Sequence, residues 1–198
     1  GFLDGDGINE DIPVHVVVTV TIAGAQMAVD LTGSSSQSRG SINSGIVQTR
    51  SAIQQAFKFL VNPESPASGG AFRNLEIVVP AGSCFDPDPE AAYLHYGPHL
   101  MLAIDLVVKA LSDAVPDRAA AGHVGDSWNI SFMNALGQPS FLAGESLIGG
   151  WGGWEGGDGE SALIHSAAGD FKNVPVETIE QRYPLRINRH AFREGSGG

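Results

Sequence analysis

Four short blocks of this 198-residue chain place residue types at spacings that chemistry uses. Asp4-Gly5-Asp6-Gly7 has the alternation of a calcium loop, which needs ligands at positions 1, 3 and 5, glycine at 6 and glutamate at 12. With Gly7 as position 6, positions 1 and 12 fall on Phe2 and Pro13, so the block reads as an Asp/Gly turn before a strand. His95 and His99 are four apart, as zinc ligands on a helix would be, but Gly97-Pro98 lies between them and the Glu of H-E-x-x-H is absent. They read as polar residues at the start of a helix. Gly125-Asp126-Ser127 has the form of a hydrolase nucleophile block, yet the required base and acid are not at a matching spacing: Asp170 and His190 stand twenty apart. A turn is the better reading. Gly33-Ser34-Ser35-Ser36-Gln37-Ser38-Arg39-Gly40 offers N–H groups and hydroxyls ahead of a helix, where an anion could sit, without the lysine or spacing of a P-loop.

The elements that must hold these blocks follow from periodicity. Pro13 to Ile22 is rich in β-branched residues and predicts a strand, turned at Gly24 into a hairpin partner over Gln26 to Leu31. Ile46, Ile53, Ala56, Phe57 and Leu60 have helical spacing, giving a helix over Ile42 to Val61 that Asn62-Pro63 ends. Phe72 to Val79 predicts a strand, and His99 to Ala114 a second helix stopped by Pro116. Val124 to Leu136 and Ser140 to Ile148 predict two strands joined at Gly137-Gln138-Pro139, and Tyr183 to Asn188 a last one. The expected fold class is α+β, mostly antiparallel sheet with two main helices and glycine-rich loops, in a single domain over 1–198.

Composition narrows the function. Eleven Lys and Arg against 22 Asp and Glu leave a net charge of −11, which disfavours nucleic acid and anionic lipid as partners. One cysteine, Cys84, cannot form an internal disulfide, and no apolar run reaches membrane-spanning length, so a cytoplasmic protein is expected. Glycine is in excess at 26 residues, against roughly 7% of an average chain. Seven of the eleven residues from Gly149 to Gly159 are glycine, with Trp151 and Trp154 among them. No strand–GxGxxG–helix order accompanies them, so the tryptophans read as packing against sheet. The glycine-rich end at Gly195-Ser196-Gly197-Gly198 suggests a fragment of a longer chain.

Taken in order, the blocks are more specific than any one of them. Val29-Asp30-Leu31-Thr32-Gly33-Ser34-Ser35-Ser36-Gln37 and Gly40-Ser41-Ile42-Asn43 are followed by Gly69-Gly70-Ala71-Phe72-Arg73, Val79-Pro80-Ala81-Gly82-Ser83 and Asp88-Pro89-Glu90-Ala91-Ala92. Then come Gly149-Gly150-Trp151-Gly152-Gly153, Asp158-Gly159 and Asn173-Val174-Pro175-Val176-Glu177, with Glu180 and Tyr183-Pro184-Leu185. This series resembles the hydantoinase B/oxoprolinase family over nearly the whole chain, as the central part of a B-type subunit. Ser68, Asn74, Trp154 and Glu194 depart from the family pattern and leave the substrate class open.

The resemblance implies part of an ATP-dependent cyclic amidohydrolase that opens a hydantoin, oxoproline or lactam ring. Its ATP and magnesium would be handled by a hydantoinase A-type partner subunit, and any divalent metal by residues outside this chain. The fragment alone would be inactive. An acetone- or acetophenone-type carboxylase subunit acting on a ketone is the enzymatic alternative, and a non-catalytic scaffold that docks the ATPase partner is the other. The matched polar residues become candidate substrate contacts: Asp30, Thr32, Gln37, Asn43, Arg73, Asp158, Asn173, Glu177 and Glu180. Asp30, Thr32, Gln37 and Asn43 surround a strand-to-helix loop and either cap the helix or line a cleft. Arg73 has the fork to hold a carboxylate or phosphorylated intermediate, and Glu177 and Glu180 share a helical face, to orient a water or cap a turn.

Overall fold

The computed structural model describes all residues except 10, 95–96, 126–127, 135–139, 169–171, 193 and 196–198. His95, Asp126-Ser127, the Gly137-Gln138-Pro139 turn, Asp170 and the end of the terminal glycine block therefore lie outside the described residues.

The long N-terminal strand expected over Pro13 to Ile22 is two strands. β2 (Val14–His15) pairs antiparallel with β1 (Phe2–Leu3), and β3 (Thr19–Ala23) pairs with β4 (Gln26–Asp30). The break frees the main chain for the serine loop: Ser35 Oγ accepts from His15 N at 2.9 Å and Ser34 Oγ from Val17 N at 3.0 Å. Those hydroxyls are spent on the fold, which argues against an anion seat in the loop. Ala23 and Gln26 close the β3–β4 hairpin around Gly24, whose φ of +61° suits the first central position of a type II′ turn.

Helix α1 (Ile46–Val61) starts later than expected, since Gly45 is its extended N-cap and 42–45 serve to bury Asn43 and Ser44. Its buried stripe is Ala52, Ile53, Ala56, Phe57 and Leu60, the i, i+3/i+4 pattern that drives an amphipathic helix onto a core. Its C-terminal carbonyls meet cations: Lys58 Nζ donates to the Asn62 carbonyl and Arg118 Nη1 to the Leu60 carbonyl at 2.8 Å. After α1 a 3₁₀ turn occupies Gly69–Phe72, which shortens the next strand to β5 (Leu75–Val78). β5 pairs parallel with β4, so α1 is the crossover of a β–α–β unit inside an otherwise antiparallel fold.

Helix α2 (Gly97–Leu111) packs along α1 and also touches β1 and β3. Pro98 suits its first turn, where an N–H has no intrahelical partner. Leu100, Met101, Ala103, Ile104 and Val107 face the core with Val16, Val29, Leu31, Ile53, Phe57 and Phe85. His99 lies in the first turn of α2, as its spacing suggested, but it is fully buried against Phe85, with ring centroids 4.9 Å apart, and does not face solvent. Neither ring nitrogen has a well-made hydrogen bond among the described residues. Burial pushes its pKa down to about 4, against a weak opposing pull from the Cys84 main chain.

β6 (Trp128–Met133) and β7 (Leu142–Leu147) form a separate antiparallel pair. The strand expected over Tyr183 to Asn188 is absent. The local element is helix α3 (Val176–Arg182), which Pro175 opens and Tyr183-Pro184 ends; 183–188 run irregularly beside it. Tyr183-Pro184-Leu185 has the aromatic and branched residues of a strand, but among the described residues it pairs with none.

Candidate functional site

Of the nine residues singled out in the sequence, those before α1 are fastenings. Asp30 Oδ1 accepts from Thr32 N at 2.8 Å, and the Thr32 hydroxyl and N–H hold the Asp30 carboxyl below its usual range. Gln37 brackets Asp88, donating to its carboxylate at 3.0 Å and accepting from its N–H at 2.7 Å. Asn43 is fully buried. Its Oδ1 accepts from Ser38 N at 2.7 Å, and its Nδ2 faces the carbonyls of Ser38, Gly40 and Ala92 at 2.9, 3.2 and 3.0 Å. It therefore staples the loop and does not cap α1, whose cap is Gly45 without a side-chain bond. Asp6, from the Asp/Gly turn, joins the same staple. Its carboxylate accepts from Ile8 N, Asn9 N, Ser38 Oγ and Gly40 N at 2.9, 2.6, 2.5 and 3.1 Å, which holds its pKa well below the usual range.

The later candidates stay apart. Arg73 is exposed and its Nε donates to the Gly70 carbonyl at 3.2 Å, closing its own 3₁₀ turn. Asp158, Asn173 and Glu177 are exposed. Glu177 and Glu180 do share α3, and Glu180 Oε1 accepts from Ile187 N at 2.8 Å, so that carboxylate caps the chain that returns past the helix.

A different constellation comes together, and spacing did not reveal it. Asp105, on α2, places Oδ1 2.7 Å from His123 Nδ1; His123 Nε2 lies 3.1 Å from Ser166 Oγ. The three are 18 and 43 residues apart along the chain. A carboxylate only accepts, so a neutral His123 carries its proton on Nδ1 and presents the Nε2 lone pair to the serine hydroxyl.

Main-chain pairing builds this arrangement. Ala121 N donates to the Gly153 carbonyl at 2.8 Å, Val124 N to Gly150 at 2.9 Å and Trp151 N to Glu160 at 2.9 Å. His123 is thereby laid against Trp151, with ring centroids 5.7 Å apart. The Trp151 indole N–H donates to the Ile164 carbonyl at 2.7 Å, and its ring also meets Phe59 of α1. Gln55 of α1 donates to the Ser166 carbonyl. Trp151 thus packs against His123 and helix α1 rather than against sheet, and Trp154 is 53% exposed.

The glycine-rich segment serves this folding. A side chain at Gly159 would place its Cβ 1.7 Å from the Trp151 carbonyl oxygen, and one at Gly152 would lie 2.7 Å from the Ala121 carbonyl oxygen. The missing Cβ atoms are filled by the chain's own backbone, so the segment does not fit a phosphate cradle.

Beside the relay, His165 is buried and its Nδ1 has no hydrogen-bond partner among the described residues. Its ring centroid is 6.4 Å from that of His123. Burial, then the nearby His123, pushes the His165 pKa down. Among the described residues no three His, Cys, Asp or Glu side chains gather as a metal site. Both His123 nitrogens are engaged, so the cluster does not fit a divalent ion either. The only cysteine, Cys84, is buried and its thiol is pushed up to about 12, which removes it as a nucleophile.

The sequence profile of the hydantoinase B/oxoprolinase family matches residues 1–198. The chain belongs to this family. Among relatives, it is 30% identical over 98% of its length to a protein named as the B-type subunit of a D-/L-hydantoinase from Pseudomonas sp. (strain NS671), of which it covers 34%. Its fold is similar to that of the ATP-dependent caprolactamase of Pseudomonas jessenii, with a TM-score of 0.73 at 22% identity over 89% of this chain and 31% of that one. It is also similar in fold to an acetone carboxylase, with a TM-score of 0.71 at 18% identity over 85% and 24% of the two chains. The chain thus spans about a third or less of the length of these proteins. In this chain Asp30, Gln37 and Asn43 hydrogen-bond within and between their loops. Among the described residues no helix is long and apolar enough to cross a membrane.

Proposed function

We propose that this chain is a single-domain part of the B-type subunit of an ATP-dependent cyclic amidohydrolase, acting in the cytoplasm with an ATP-hydrolysing A-type partner. The observation that carries this reading is the 30% identity, over 98% of the chain, to a hydantoinase of the B type. The substrate is a small ring with an internal amide: a hydantoin, an oxoproline or a lactam. ATP and magnesium are assigned to the A-type partner, in keeping with the family resemblance. Of the nine sequence candidates, Arg73, Asp158, Asn173 and Glu177 are exposed and are the ones left open to contact a substrate or the partner. Asp30, Thr32, Gln37, Asn43 and Glu180 act by holding loops.

The test is ATP turnover by the full-length protein with its A-type partner, across hydantoin, 5-oxoproline, caprolactam, and acetone with bicarbonate. Ring-dependent turnover without bicarbonate is expected. Turnover only with ketone and bicarbonate would overturn the reading in favour of a carboxylase. A second reading, a scaffold for the ATPase partner, draws on the β6–β7 pair, where Phe132 is 42%, Met133 70% and Leu142 63% exposed. It is the outcome if the complex forms and turns over nothing.

A further inference from the structure

We propose that Ser166, His123 and Asp105 form a reactive-serine site for acyl transfer, with Ser166 as nucleophile, His123 as its base and Asp105 as the group that orients the imidazole. This goes beyond ring opening and needs neither ATP nor a partner.

Three observations carry it. The distances are those of a working relay, 2.7 Å from Asp105 to His123 Nδ1 and 3.1 Å from His123 Nε2 to Ser166 Oγ. The relay is screened from bulk water: the His123 side chain is 4% exposed and Ser166 is buried at 7%, with the Asp105 side chain at 24% on its outer edge. Finally, His165 leaves a buried Nδ1 without a partner among the described residues, a polar atom that a bound carbonyl oxygen would satisfy. A fastening role alone explains the first observation and not the third.

The surroundings set the substrate class. Trp151 and Phe59 contribute apolar ring faces, and burial disfavours a charge on His165. These apolar faces favour a small uncharged ester or other activated acyl group over a charged one. In the reaction the Ser166 oxygen bonds to the carbonyl carbon while its proton passes to His123 Nε2. The bond to the leaving group then breaks, and the leaving group takes that proton. Water repeats the exchange at the acyl-serine, its proton passing through His123 back to Ser166, and a carboxylic acid departs.

The test is labelling of the full chain with diisopropyl fluorophosphate, read by peptide mass spectrometry, with near-UV circular dichroism to show that each protein is folded. The serine oxygen displaces fluoride from phosphorus and its proton leaves as HF. One diisopropylphosphoryl group on Ser166 is expected. Ser166→Ala should abolish the label, and His123→Gln and Asp105→Asn should slow it by about 100-fold or more. A folded wild-type chain that stays unlabelled, a label on another residue, or wild-type labelling in folded Asp105→Asn or His123→Gln would overturn the proposal. A merely structural relay would lower the melting temperature of these variants with no label in the parent.

Discussion

His123 holds Asp105 through its Nδ1 at 2.7 Å, across 18 residues of chain. One partner sits on α2 and the other in an irregular segment, so the bond ties the glycine-rich half of the chain to the helical core. Trp151 on His123 and Gln55 on Ser166 complete the same seam from the other side. A single cluster thus joins the two parts of the chain and supplies a run of acid, base and hydroxyl side chains.

Acid should destabilise the protein through His99. Its pKa in the fold is about 4, against an ordinary 6.5, so the unfolded chain binds the extra proton between those values. Stability is therefore fully present above about pH 6.5 and falls as the pH drops towards 4, by about 3 kcal/mol in all. His99→Leu should flatten this dependence, measured as the urea midpoint between pH 7 and 4.5. An unchanged slope in the variant would assign the acid sensitivity elsewhere.

Asn43→Ala should cost about 2–4 kcal/mol, because it strands the half-buried Ser38 N–H and leaves three carbonyls short of a donor. In a chain of this size that lowers the melting temperature by about 4–16 °C, readable by calorimetry. Asn43→Asp should be nearly as harmful, since a carboxylate faces those carbonyls with no N–H to give.

Gly159→Ala should destabilise the seam by about 1–3 kcal/mol, since its Cβ meets the Trp151 carbonyl and backbone must move. Trp151 would shift with it, so the near-UV tryptophan signal should change while far-UV helix content holds. Gly24→Ala meets open space and strains only φ, and should leave that signal unchanged.

Cys84 should resist Ellman's reagent in the native protein and release one equivalent after denaturation. Burial both blocks access and pushes the thiol up to about 12, so almost no thiolate exists at neutral pH. Rapid native labelling would show that the core opens around it.

The sequence by itself determined the family, through an ordered series of blocks, and most of the regular elements. The stripe Ile53, Phe57 and Leu60 specifies a helix because 3.6-residue spacing is a local property, and Gly24 marks a hairpin because φ > 0 is one as well. Periodicity could not place α3, where a seven-residue helix without buried residues leaves little apolar pattern to read. Nor could it show that β4 and β5 run parallel, which depends on where α1 returns the chain. The candidate site was less legible still. Asp30, Gln37 and Asn43 stand out as motif residues, but the hydrogen bonds that make them loop fastenings come from partners up to 51 residues away. Asp105, His123 and Ser166 carry no mutual spacing signal at all. Only tertiary packing, with Ala121 and Val124 paired to the glycine segment and Trp151 folded over the seam, brings a carboxylate, an imidazole and a hydroxyl into one line.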